Sequence, residues 1–107
     1  MKVPVREYYG KNGEFDRGDV EVSSELDNQS QQIINLGLQF TIEYIDVLDK
    51  ASICLEDYDR GDYKIEFVAM EKQVLEKTIE GIVAEFSVED YQQWCNEIDN
   101  YEYQLED

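Results

Sequence analysis

The chain has 107 residues, enough for one domain with a single apolar core, and carries 26 acidic against 9 basic residues and no histidine, a formal charge of −17. That balance argues against direct contact with nucleic acid or with an anionic membrane, both of which need clustered Lys and Arg. The 42% apolar content, with eight Tyr, four Phe and one Trp, argues against an acidic disordered tail. No stretch of about 18 apolar residues marks a membrane span. The first twenty residues are charged throughout, so no signal peptide is expected and a cytoplasmic location is the default.

Residues 2–9, KVPVREYY, read as an edge strand, because Pro4 has no N–H to offer a second neighbour. Gly10-Lys11-Asn12-Gly13 supplies a turn. Residues 14–22 return as a second strand, interrupted at Asp16-Arg17-Gly18-Asp19, so a hairpin is expected near 2–22. Residues 23–32 are polar, with Leu26 the single apolar anchor, and read as a loop with one helical turn. From Ile34 to Tyr44 every even position is apolar, and from Asn35 to Glu43 every odd position is polar or glycine. This period of two predicts a central strand over 33–46. Asn35, Gln39, Glu43 and Asp46 also align at helical spacing, so a helix is the alternative. Ile45 and Val47 then shift the register, as a bulge or strand end does.

Leu48-Asp49-Lys50 makes a tight connection into the clearest hairpin, near 51–70, with Asp59-Arg60-Gly61-Asp62 as its turn. Val74, Leu75, Ile79, Ile82, Val83 and Phe86 share one helical face, predicting a helix over about 72–85. Gly81 and the β-branched residues of that segment weigh against it. Ser87 with Asp90 three residues later opens a helix over about 88–105, whose apolar stripe is Tyr91, Trp94, Cys95, Ile98, Tyr101 and Leu105. The expected fold is α+β: one acidic domain, 1–107, with an antiparallel sheet of four to five strands packed against one or two C-terminal helices.

Chemistry-bearing patterns are few. Cys54 and Cys95 lack Cys-x-x-Cys spacing and histidine partners, and read as small buried apolar residues. Asp57, Asp59 and Asp62 do not fit a calcium loop, since Gly61 falls at position 5 where an EF-hand requires a ligand. No histidine, Gly-rich phosphate loop or nucleophile elbow is present, so no metal, no cofactor and no enzymatic activity are expected. The phrase aromatic-Asp-Arg-Gly-Asp occurs twice, at Phe15–Asp19 and Tyr58–Asp62. An adhesive Arg-Gly-Asp ligand needs an exported protein, and turn chemistry is the plainer reading.

Charge placement is more informative. Lys77 is the last base, and residues 78–107 contain nine acids. The candidate contact face is acidic: Glu89, Asp90, Glu97, Asp99, Glu102, Glu106 and an exposed Tyr103 on the last helix, with Asp57, Asp59 and Asp62 at the hairpin turn. The plain alternative is a solvated acidic surface. Against it stands scale, since −17 exceeds the magnitude of about 2 to 8 that solubility asks of a small domain. In composition alone the chain is similar to small acidic proteins that block nucleic-acid enzymes, such as phage DNA mimics and nuclease immunity proteins. That likeness implies a non-enzymatic inhibitor of a basic protein partner: a nuclease, a restriction or CRISPR effector, or a DNA-binding protein. The rivals are an immunity protein or antitoxin for a cognate toxin, and an acidic assembly subunit, to which a homodimer through the strand at 2–9 would belong.

Overall fold

The computed structural model describes residues 1–9 and 14–105, with side chains described for 1–9 and 15–101. In chain order the elements are β1 (Lys2–Tyr9), β2 (Glu14–Glu21), α1 (Asp27–Asn35), β3 (Gln39–Ile45), β4 (Lys50–Asp57), β5 (Gly61–Ala69), α2 (Lys72–Glu85) and α3 (Val88–Leu105). They form an α+β fold with one sheet in the order β2-β1-β3-β4-β5. β1 runs parallel to β3 and the remaining pairs are antiparallel. The turn expected at 10–13 lies outside the described residues.

Four expectations are corrected. The strand at 2–9 is internal, flanked by β2 and β3. Pro4 is accommodated because β3 pairs only with Val5–Tyr9, leaving Pro4 a single neighbour, Asp19. β2 is not interrupted at Asp16–Asp19 but pairs continuously from Glu14 to Glu21. The polar stretch 23–32 is a 3-10 turn at Ser24–Leu26 followed by most of α1. Finally, the period-two run is not one strand over 33–46. Its first residues close α1, and β3 begins at Gln39.

Gly37 makes that break. Its φ of 75° is left-handed, its N–H donates to the Ile34 carbonyl (3.0 Å), and the Leu38 N–H donates to the Ile33 carbonyl (3.1 Å). This is the Schellman closure of a helix, with buried Ile33 and Leu38 at its apolar ends. β3 ends where the register shift predicts, in a 3-10 turn at Asp46–Leu48 that closes on Asp49 at φ 54°.

Strand alternation sorts the sheet into two faces. Val3, Val5, Phe40, Ile42, Ala51, Ile53 and Leu55 point inward and are buried beneath the helices. Ile33 of α1 and Leu75, Ile79, Ile82 and Val83 of α2 fill the same core. α2 and α3 run where expected, and Ser87 caps α3 by accepting from the Asp90 N–H at 3.3 Å. α3 is held by β5: the Tyr63 ring lies 5.4 Å from Tyr91 and 5.0 Å from Trp94, edge to face. Tyr101, expected in the apolar stripe, is 63% exposed. No described helix is long and apolar enough to cross a membrane.

Candidate functional site

The sequence-predicted acidic residues separate into distinct places. Glu89, Asp90 and Glu97 are exposed on α3, away from its buried Tyr91 and Cys95. Glu80 and Glu85 on α2 add to these in the helix layer, and residues 78–101 contain no Lys or Arg, although Lys72 and Lys77 lie earlier on α2 and Lys64 of β5 neighbours Glu85 and Asp90. Near the layer's margin a cleft of about 290 Å³ is lined by Tyr63, Lys64, Glu66, Ile82, Glu85, Phe86 and Asp90. Asp59 is exposed at the β4–β5 tip, and Asp62 lies on the opposite face of the sheet, paired across from Glu56. Glu102 and Tyr103 fall within α3 without described side chains, and Glu106 lies outside the described residues.

Asp57 is corrected as a contact residue: it is 8% exposed. Its Oδ1 accepts from the Asp59 N–H (2.8 Å) and the Arg60 N–H (3.0 Å), and its Oδ2 accepts from Arg60 Nη1 (3.3 Å) and from the Tyr91 hydroxyl. Burial pushes this carboxyl up, but the hydrogen bonds from Tyr91, the two turn amides and Arg60 together hold it below its ordinary range. Burial, then the bond to Asp57, pushes the Tyr91 phenol up. Arg60 also grips Asp99 with a two-pronged contact, Nε to Oδ1 and Nη2 to Oδ2, both 3.0 Å. Thus Asp57 and Asp99, counted in sequence as a free acidic display, tie the hairpin tip to α3.

The outer face of the sheet, which no described helix covers, is the region sequence reasoning missed. Cross-strand pairing sets Arg17, Arg6, Thr41, Cys54 and Ile65 in one row across it. Phe15 stacks on Tyr8 with centroids 5.7 Å apart, and both Arg6 and Arg17 lie over its ring at 5.9 and 5.6 Å. Toward the other side the Cys54 thiol donates to Asp62 Oδ1 (2.9 Å) and the Thr41 hydroxyl to Glu56 Oε1 (3.0 Å). A groove of about 490 Å³ at this face is lined in part by Arg6, Gln39, Glu56 and Tyr58.

Cys54, Glu56 and Asp62 place one donor atom each within 4.8 Å of the others, the spacing a cation would require. However, burial and then the bond to Asp62 and the neighbouring carboxylates push the Cys54 thiol up, so the sulfur is a protonated donor at neutral pH. In this arrangement the sulfur donates to Asp62 as a thiol. The Glu7 carboxylate is likewise engaged, by the hydroxyls of Tyr44 and Tyr9, each at 2.9 Å.

Comparison with protein-family models, with curated proteins and with solved structures finds no match to this chain.

Proposed function

We propose that the chain is a non-enzymatic inhibitor whose acidic helix layer occupies the basic nucleic-acid-binding site of a partner protein, of the nuclease, restriction or CRISPR effector, or DNA-binding class. One observation carries this reading. Glu85, Glu89, Asp90 and Glu97 are exposed on α2 and α3, and no Lys or Arg lies among residues 78–101. Helices hold these carboxylates at fixed intervals; Asp90 and Glu97, seven residues apart, are separated by about 10 Å along the axis. A fixed array of negative charge can displace a phosphate backbone from Lys and Arg, and it speeds capture of a cationic partner by steering. The mechanism is occlusion, with no bond made or broken.

The experiment is competition. A basic partner recovered on the immobilised chain is bound to a labelled duplex, and the chain is titrated in. Wild type displaces the duplex. A variant with Glu80, Glu85, Glu89 and Glu97 changed to Gln and Asp90 to Asn loses at least about tenfold in potency, the 1.4 kcal/mol that a few charge-assisted contacts supply. Equal potency of that variant would refute the acidic-layer mechanism. Binding of wild type that persists at about 0.5 M salt would instead favour a cognate groove of the immunity-protein kind, since screening at that strength removes exposed charge contacts.

A further inference from the structure

The sheet's outer face differs in charge from the rest of the molecule. By strand alternation it carries, among the described residues, four bases, Lys2, Arg6, Arg17 and Lys50, against five acids, Asp19, Glu21, Glu43, Glu56 and Asp62. This face is therefore close to neutral in a chain of charge −17. It also exposes apolar surface: Phe15 is 46%, Ile65 48% and Phe67 66% exposed. Exposed apolar groups at both edges of a nearly neutral face mark a candidate interaction surface.

Its charges are unevenly split: β1 and β2 carry Lys2, Arg6 and Arg17 against Asp19 and Glu21, and β4 and β5 carry Lys50 against Glu56 and Asp62. Arg6 and Arg17 sit side by side on β1 and β2, and among the described residues neither has a carboxylate within ion-pair distance. The Arg6 Nε is buried without a hydrogen-bond partner. Glu56 and Asp62 occupy the other half, on β4 and β5. We propose that this face is the interface of a two-fold homodimer in which the Arg6–Arg17 half of one copy lies over the Glu56–Asp62 half of the other.

A two-fold axis parallel to the strands and passing over β3 carries β1 onto β4 and β2 onto β5, because the order is β2-β1-β3-β4-β5. Arg6 then faces Cys54 of the second copy, whose neighbours on that face are Glu56 and Asp62. Phe15 faces Phe67 of the second copy, since both lie in the row that runs through Tyr8, Glu43 and Ser52. An axis across the strands would set Arg6 on Arg6; the axis along them sets Asp19 level with Asp62 but brings Arg6 toward the Glu56 and Asp62 carboxylates. Five strands at about 4.8 Å spacing and about 25 Å length give a flat footprint of roughly 600 Å². Side-chain relief brings this toward the about 800 Å² per partner of a stable interface. Sheets stacked face to face lie about 10 Å apart, within reach of an arginine from one to a carboxylate on the other. The helix layers would face outward on both sides, so the proposal stands independently of the inhibitor reading.

The test is molar mass in solution by sedimentation equilibrium at about 0.15 M salt, where the Debye length is about 8 Å. Wild type is expected at twice 12.6 kDa. Arg6→Glu and Glu56→Arg should each be monomeric, and mixing the two in equal amounts should restore the dimer, because each then supplies what the other lacks. Phe67→Glu, at an exposed position with little role in folding, should also be monomeric with unchanged circular dichroism. A monomeric wild type overturns the proposal, including the case in which its outer face binds a labelled oligonucleotide instead. So do single variants that stay dimeric, or a mixture that stays monomeric while both components are folded.

Discussion

Asp57→Ala should cost about 3 kcal/mol, although in sequence Asp57 is one acid among 26. The magnitude follows from what each donor can do once the carboxylate is gone. The Asp59 amide and the Arg60 guanidinium lie at or near the surface and recover water in part. The Tyr91 hydroxyl cannot: the residue is 5% exposed, beneath Tyr63 and Trp94. Stranding it costs about 1–3 kcal/mol, and loss of the turn closed by two backbone amides adds about 1 kcal/mol. The assay is urea unfolding followed through Trp94, the only tryptophan, with a melting temperature lowered by about 12 °C as the parallel readout. Asp57→Asn, which can still accept from the turn amides, should cost less, and Asp59→Ala at the exposed tip should cost less than about 0.5 kcal/mol. The pH dependence has a definite sign. A carboxyl held below its ordinary value when folded contributes stability that is complete above its unfolded value of about 3.9 and is lost as pH falls through the folded one. The stability gap between wild type and Asp57→Asn should therefore be full at neutral pH and narrow below about pH 4. General charge repulsion is nearly shared by the two chains and largely cancels in the gap. A cost for Asp57→Ala no greater than for Asp59→Ala would refute the buried-network account.

Two glycines should respond in opposite directions to alanine. Gly81 lies in the interior of α2, a Cβ there meets nothing within 4 Å, and no left-handed φ is required, so Gly81→Ala should stabilise by about 1 kcal/mol in the same urea assay. Gly37→Ala has equal room but a φ of 75°, and should destabilise by about 1–2 kcal/mol. Cys54, raised by burial and by its bond to Asp62, should be alkylated at pH 8 more slowly in the folded protein than in the unfolded chain, and Asp62→Ala should speed the reaction. Equal rates before and after unfolding would contradict that placement.

What was legible in the sequence was whatever repeats with a period and stays local. α2 and α3 are set by apolar residues at helical spacing and by the Ser87 cap, and the β4–β5 hairpin by alternation on both sides of a Gly-containing turn. α1 was hidden because its apolar contacts, Ile33 and Ile34, come in its last turn, and these two begin a run that alternates for an unrelated reason. Ile34, Leu36 and Leu38 belong to the helix end and its closure, whereas Gln39 to Tyr44 alternate because they form a strand. Only the left-handed Gly37 separates the two causes, and in sequence it also passes for a polar position of the alternation. The twin aromatic-Asp-Arg-Gly-Asp phrases make the same point. Gly61 opens β5 at φ 98°, while Gly18 sits mid-strand in β2 with no left-handed φ. The outer-face rows depend on β1 inserting between β2 and β3, a long-range fact that no local pattern carries.

Arg6 and Arg17 give the sharpest case of charge placed against the stability of the isolated chain. Like charges directly across a strand pair destabilise it, by about 0.2–1 kcal/mol. With 26 acids available, a carboxylate opposite Arg6 would have relieved the pair, at the cost of a more negative net charge. Arg17→Glu should therefore raise the stability of the dilute monomer by about 0.5 kcal/mol, through a cross-strand ion pair with Arg6. Raising ionic strength should shrink the gain, because an exposed pair is screened. The comparison is made by urea unfolding at the lowest concentration fluorescence allows, with Arg17→Thr as the partner that removes the repulsion without adding an attraction. If Arg17→Glu is instead less stable than wild type under dilute conditions, the two guanidiniums are stabilised within the monomer by the Phe15 face, and their placement then requires no second molecule.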